Sequence, residues 1–168
     1  RRLKAGPPSD PGAFCGPLIT RQQFERVSGF LDRLPAHARV LTGGRATGAG
    51  GAGFFLEPTV VDDVLPTDEV VVEEVFGPVL TVQGFARESE AVSMANATPY
   101  GLASSVWTRD QGRSARLAAQ IEAGTVWVNC TQNIPSETPH GGYKSSGVGK
   151  DLSAYSLEDY SQIKHVLT

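Results

Sequence analysis

At 168 residues, 40% apolar and 20% charged, the chain is long enough to bury a core as one domain and too hydrophobic for a disorder-prone class. A net charge of −3 gives no electrostatic drive toward nucleic acid or an anionic membrane, so neither is expected as a partner. Two cysteines are too few for a disulfide framework, and three scattered histidines give no metal-ligand spacing.

Pro7, Pro8, Pro11 and Pro17, with Gly6, Gly12 and Gly16 among them, make residues 5 to 17 read as an extended connector. Thr20-Arg21-Gln22-Gln23 has the spacing of a capping box. Phe24, Val27, Leu31 and Leu34 then recur at steps of three and four, predicting a helix that ends near Pro35. Val40-Leu41-Thr42 is a short strand that runs into Gly48-Ala49-Gly50-Gly51-Ala52-Gly53. That run matches G-x-G-x-x-G, but the dinucleotide fingerprint requires its glycines to open a helix. Phe54 to Val61 is β-rich and interrupted by Pro58, so the loop reads as a connection between strands.

Val79 to Phe85 is β-rich, Ser89 to Ala97 is helical with Val92 and Ala95 on one side, and Ser104 to Thr108 is a strand. Asp110 caps a helix reaching Glu122, with Leu117, Ala118 and Ile121 inward and Gly124 as its stop. Thr125 to Asn129 is the next strand. This alternation predicts the α/β class: an open, largely parallel sheet with flanking helices and right-handed crossovers. Ligands gather at the carboxyl ends of such strands, which makes Asn129, Cys130 and the loop to Lys150 the candidate functional edge. Ser156-Leu157-Glu158-Asp159 predicts a last capped helix, with Tyr155 and Tyr160 spaced for a staple. Ile163, His165 and Leu167 alternate with Lys164, Val166 and Thr168, predicting a terminal strand whose open edge suits pairing with another chain. No apolar run approaches the roughly 20 residues of a membrane span, and no signal segment opens the chain. The expected location is the cytoplasm.

Several ordered motifs share one resemblance. Gly16-Pro17-Leu18-Ile19, Glu73-Glu74-Val75-Phe76-Gly77-Pro78 and Ala97-Thr98-Pro99-Tyr100-Gly101-Leu102-Ala103 come first. Ala123-Gly124-Thr125-Val126-Trp127-Val128-Asn129 and the stretch from Pro139 to Asp151 follow in the same order. Together they resemble the C-terminal part of NAD(P)-dependent aldehyde dehydrogenases, from about Leu3 to Thr168. The ending from Pro139 to Gly142, with Gly149-Lys150-Asp151 and Leu157-Glu158-Asp159-Tyr160, is similar to aminobutyraldehyde and betaine-aldehyde dehydrogenases. The resemblance makes residues 1–154 the C-terminal part of a catalytic domain. It makes residues 155–168 the helix and strand of an oligomerisation region, in a homo-dimer or homo-tetramer.

It also implies roles. A carboxylate at Glu74 would hold the nicotinamide-side ribose hydroxyls of NAD or NADP, the ring of Phe76 would orient the nicotinamide, and Leu102 would line the same pocket. Without the family, Glu74 is a surface carboxylate and Phe76 a core aromatic. Asp151 stands where a glutamate commonly relays protons; as a bare residue it equally starts a turn before Leu152. Cys130, Gln132, Ile134 and His140 match the wall of the aldehyde entrance, with His140 in a frequently aromatic position, either bonding a polar substrate or filling space.

The family's reaction needs a cysteine thiolate that attacks the aldehyde, a carboxylate that activates water, and amide donors for the oxyanion. Neither Cys15 nor Cys130 has the flanking sequence of that nucleophile, and both read as small, buried, unreactive thiols. The nucleophile, the general-base glutamate and the Rossmann half are expected upstream of Arg1, so the 168 residues alone are expected to be inactive. The second reading is a non-catalytic assembly module built on the same fold.

Overall fold

The computed structural model describes residues 3–48 and 53–168. The chain divides into two compact units, Arg1–Gly84 and Phe85–Thr168.

In the first unit, helix α1 spans Arg21–Asp32. Thr20 caps it, its side chain accepting the Gln23 amide at 3.1 Å. The reciprocal half of the capping box is not made, because the Gln23 side chain reaches instead to the carbonyls of Val75 and Phe76. Strands β1 (Arg39–Thr42), β2 (Thr59–Asp62) and β3 (Val79–Thr81) form a sheet in that order. The β1–β2 pair is antiparallel and the β2–β3 pair parallel. Val27 and Phe30 of α1 pack with Leu56, Val61, Val64, Val70 and Val75 into one apolar cluster. A short helix α2, Glu69–Val72, supplies Val70 to it. Such burial is worth about 1.5–3 kcal/mol per large side chain, and it explains why the β-branched residues alternate inward along β2.

One expectation changes here, and the reading of the glycine run as a connection between strands holds. Residues 5 to 17 form a compact turn, not an extended connector: Ala5 and Cys15 bridge in parallel, and the Ala13 amide donates to the Asp10 carbonyl. The glycine run lies partly outside the described residues, at 49–52. No helix follows it: Leu56 bridges Ala46, and β2 comes next.

In the second unit, helix α3 (Glu88–Asn96) is followed by β4 (Tyr100–Gly101), β5 (Ala103–Val106), helix α4 (Gln111–Gln120) and β6 (Thr125–Val128). β5 and β6 pair in parallel across α4, the βαβ arrangement expected from the alternation. Asp110 caps α4 by accepting the Arg113 amide at 2.9 Å. Strand β7, Tyr143–Lys144, pairs antiparallel with β4. The α/β class stands, with the strands of the described residues divided among three small sheets, two antiparallel pairs beside two parallel ones.

Lys144 explains why β7 exists. Its ammonium donates to the carbonyls of Asn96 and Thr98 at 2.8 and 3.2 Å and pairs with Glu122 at 2.7 Å. A cation on the carbonyl of Asn96, the last residue of α3, satisfies a group that the helix leaves open, and the Thr98 bond ties the turn beyond it. Gly124 gives this region its close packing, since a Cβ there would collide with the Gly141 carbonyl.

The last helix, α5, spans Tyr155–Asp159. Ser156 lies inside it and does not cap it; its hydroxyl donates to the Ser153 carbonyl, while the Ser153 hydroxyl accepts the Tyr155 amide. Tyr155 and Tyr160 are both exposed. Residues 163–168 pair with no strand of this chain among the described residues, and Ile163 and Leu167 are 98% and 87% exposed.

Candidate functional site

Glu74 and Phe76 belong to the first unit. After α2 the backbone turns extended at Glu73, with φ −92° and ψ 144°. Val75 is buried in the apolar cluster, so its neighbours on either side face outward. Phe76 is 73% exposed and sits at φ +52°, a left-handed conformation uncommon for an aromatic residue. Such strain costs on the order of 1–3 kcal/mol and persists only where the surroundings hold it.

Side chains of α1 do the holding. The Arg26 guanidinium donates to the Glu74 and Val75 carbonyls, both at 2.6 Å, and the Gln23 amide donates to the Phe76 carbonyl at 2.9 Å. Gly77 completes the contact: a Cβ there would lie 2.8 Å from a methyl of Val27, so only glycine lets the segment approach α1 this closely. The Glu74 carboxylate makes no hydrogen bond or ion pair among the described residues. An acceptor without a donor and a ring without full cover therefore stand two residues apart on a fixed backbone.

The remaining candidates lie in the second unit. Asn129 ends β6 at φ +54°, and its amide ties both Thr108 backbone groups at 2.9 Å, which fixes the carboxyl ends of β5 and β6 together. Beyond it, Cys130 is half-buried and Gln132 is exposed at φ +57°. Ile134 and His140 come together in an open cleft of about 310 Å³ with Thr125, Trp127 and Pro135. The Trp127 indole donates to the Asn133 carbonyl at 2.7 Å, pinning the loop above β6. His140 Nδ1 lies 3.4 Å from the Thr125 hydroxyl. Apolar surface from Val126, Ile134 and Pro135, with one imidazole and the hydroxyls of Thr125 and Thr138, suits a small organic molecule carrying a polar group.

Cys130, Gln132, Leu102 and Asp151 are not among the residues lining that cleft. Leu102, 46% exposed, lies between β4 and β5. Asp151 is tied to His140 through the backbone, the two exchanging amide–carbonyl bonds at 2.8 and 2.7 Å. Its carboxylate accepts the Leu152 amide at 2.9 Å, the turn-starting geometry of its simpler reading.

Gln23, Arg26, Trp127, Asn129 and Lys144 shape these surfaces, and their contacts were not foreseen in the sequence. Gln23 and Arg26 are one helical turn apart on α1, the only local signal they carry, and their partners lie about fifty positions away.

Comparison with known proteins matches the chain to a family. The aldehyde dehydrogenase family profile covers residues 1–166. An aldehyde dehydrogenase of Emericella nidulans is 41% identical over 99% of this chain and 33% of its own length. Aminoaldehyde dehydrogenase 1, peroxisomal, of Pisum sativum is 39% identical over 98% of this chain and 33% of its own length. Among solved structures, betaine aldehyde dehydrogenase from Staphylococcus aureus in complex with NAD+ superposes with a TM-score of 0.89 at 37% identity, covering 94% of this chain and 32% of that one. The chain thus spans about a third of the length of the relatives it matches. The chain belongs to the aldehyde dehydrogenase family.

Proposed function

We propose that this sequence forms the cofactor-contacting and pocket-closing part of an enzyme that oxidises an aldehyde, of the aminoaldehyde or betaine-aldehyde class, to a carboxylic acid with NAD or NADP. The observation that carries this reading is the outward pair of Glu74 and Phe76 on a backbone held left-handed at φ +52°. The pair fits a nicotinamide nucleoside. An unpaired carboxylate accepts from two ribose hydroxyls, and an exposed aromatic ring offers a face to a flat heterocycle. The bound nicotinamide supplies a hydride acceptor; the chain's own residues orient it.

Other residues take supporting parts. Leu102 adds apolar cover to the nicotinamide. Ile134, Trp127 and His140 form the aldehyde-side wall, with the imidazole placed for a polar substituent and Thr125 holding its other nitrogen. Cys130 and Gln132 extend that wall, and Asp151 passes protons by way of water. The exposed segment 163–168 pairs with a second subunit to give a homo-dimer or homo-tetramer, and the assembled enzyme works in the cytoplasm. Among the described residues no helix is long and apolar enough to cross a membrane.

Glu74→Gln in the intact protein tests the central assignment. The expected result is a KM for NAD+ raised about tenfold, the loss of one or two charge-assisted bonds, with the KM for the aldehyde within about twofold of the parent. Unchanged cofactor kinetics would refute it.

A further inference from the structure

We propose that Arg26 and Gln23 are positioning residues for the nucleotide grip, a role that rests on the function proposed for Glu74 and Phe76. Three successive carbonyls, those of Glu74, Val75 and Phe76, are all turned toward one turn of α1 and taken by two side chains. Arg26 spends two nitrogens of one guanidinium on adjacent carbonyls, at 2.6 Å each. These are charge-assisted bonds from two nitrogens of a rigid planar fork, whereas a lysine must reach both carbonyls from one nitrogen on a flexible stem.

The sequence context makes the function of this fork specific. Val75 is already anchored by burial, and Gly77 by its approach to Val27. Neither anchor sets the rotation of the peptide units around Phe76. Burial of Val75 is compatible with Phe76 in an ordinary extended conformation, which would aim the ring elsewhere. The bond from Gln23 to the Phe76 carbonyl and the fork from Arg26 on the two preceding carbonyls fix those peptide planes. They thereby offset the cost of the left-handed residue. The clamp works before any nucleotide arrives, so its contribution is preorganisation: without it the loop must be ordered at the moment of binding, and affinity falls by that amount.

The fork can be removed without opening the core, because Arg26 is on the exposed side of α1 and its guanidinium packs over the Phe30 ring at 4.9 Å. Methionine keeps that packing and loses the donors.

The experiment measures Kd for NAD+ by calorimetry, with the thermal midpoint alongside, in the intact protein and in five variants. These are Arg26→Met, Arg26→Lys, Gln23→Met, Glu74→Gln and, as a control at the C-terminal cap of the same helix, Arg33→Met. Arg26→Met is expected to raise Kd about tenfold and Gln23→Met about threefold. Arg26→Lys is expected to fall between Arg26→Met and the parent, and Arg33→Met to leave Kd unchanged. Weakening by Glu74→Gln with no effect of Arg26→Met or Gln23→Met would overturn the clamp while leaving the function of Glu74 intact. No change in any of the five would overturn both. Equal weakening by Arg33→Met and Arg26→Met would also overturn the clamp, since it would mark a general loosening of the helix. If Arg26→Met does not fold, Arg26→Lys decides: a Kd equal to the parent's rejects the fork.

Discussion

Gly77→Ala is the substitution from which most can be learned about how the grip is built. The new Cβ would lie 2.8 and 2.9 Å from the two methyl carbons of Val27, where ordinary carbon contacts need about 3.5–4.0 Å. Val27 has no accessible surface and sits in the centre of the α1 cluster, so its side chain has no vacant direction to take. Relief must come from moving the 74–77 segment off the helix, which also stretches the Arg26 and Gln23 bonds. Overpacking of this kind costs about 1–3 kcal/mol. Loss of glycine's freedom in the unfolded chain returns about 0.4–1 kcal/mol. The net expectation is a destabilisation of about 1–2 kcal/mol. With a urea dependence of about 1–3 kcal/mol per molar, the midpoint falls by roughly 0.3–2 M. Urea unfolding followed by far-ultraviolet circular dichroism measures it. The companion variant Val27→Ala costs about 2 kcal/mol alone by leaving a cavity, but removes the methyls that clash. The double variant should therefore be more stable than the sum of the two costs predicts by about 1 kcal/mol. A midpoint unmoved by Gly77→Ala, or strict additivity in the double variant, would refute the close-approach argument.

Three further outcomes follow from other parts of the fold. Lys144→Met removes both carbonyl contacts at the end of α3 and the pair with Glu122, and should cost about 1–3 kcal/mol in thermal unfolding; a loss under about 0.5 kcal/mol would show that β7 is held by other means. Asn129→Ala breaks both bonds to Thr108 and leaves a residue with a Cβ at φ +54°, so a loss of about 2 kcal/mol is expected, and Asn129→Gly should restore only the backbone share. The Asp68 carboxyl is held below the ordinary aspartate range by the His37 ring and then by the Leu65 amide. Its folded form binds the proton less readily than its unfolded form. That contribution to stability is complete above the usual value of about 3.9 and is lost as pH falls through the depressed folded value. Asp68→Asn should flatten stability against pH below about 4, and an unchanged acid limb would contradict this.

The elements legible in the sequence were those whose signal is local. Thr20 and Asp110 cap their helices as their spacing predicts, and the alternation after Pro78 correctly implied a parallel pair across α4. Where the signal was shared between two uses, the prediction failed. Gln23 fits a capping box, but carbonyls brought close by tertiary packing claim its amide instead. Ser156 fits a cap, yet the left-handed backbone at Leu152 and Ser153 starts the helix earlier. The proline-rich connector reads as extended because turn residues do not reveal the bridge between Ala5 and Cys15 that folds them back. Within the site, Glu74 and Phe76 carry no mark in composition or periodicity; the resemblance singled them out, and the structure adds that they flank a buried valine. Arg26 and Lys144 were out of reach for a common reason. Their partners are backbone carbonyls 49 and 48 positions away, and main-chain acceptors leave no trace in residue identity.

Whether Glu74 and Phe76 hold a nicotinamide nucleoside is tested most directly by a crystal structure of the intact protein with NAD+. Both ribose hydroxyls are expected within hydrogen-bond distance of the Glu74 carboxylate and the Phe76 ring against the nicotinamide, with the Arg26 and Gln23 bonds unchanged. Ordered NAD+ whose ribose is held by other side chains, with Glu74 still facing solvent, would contradict it.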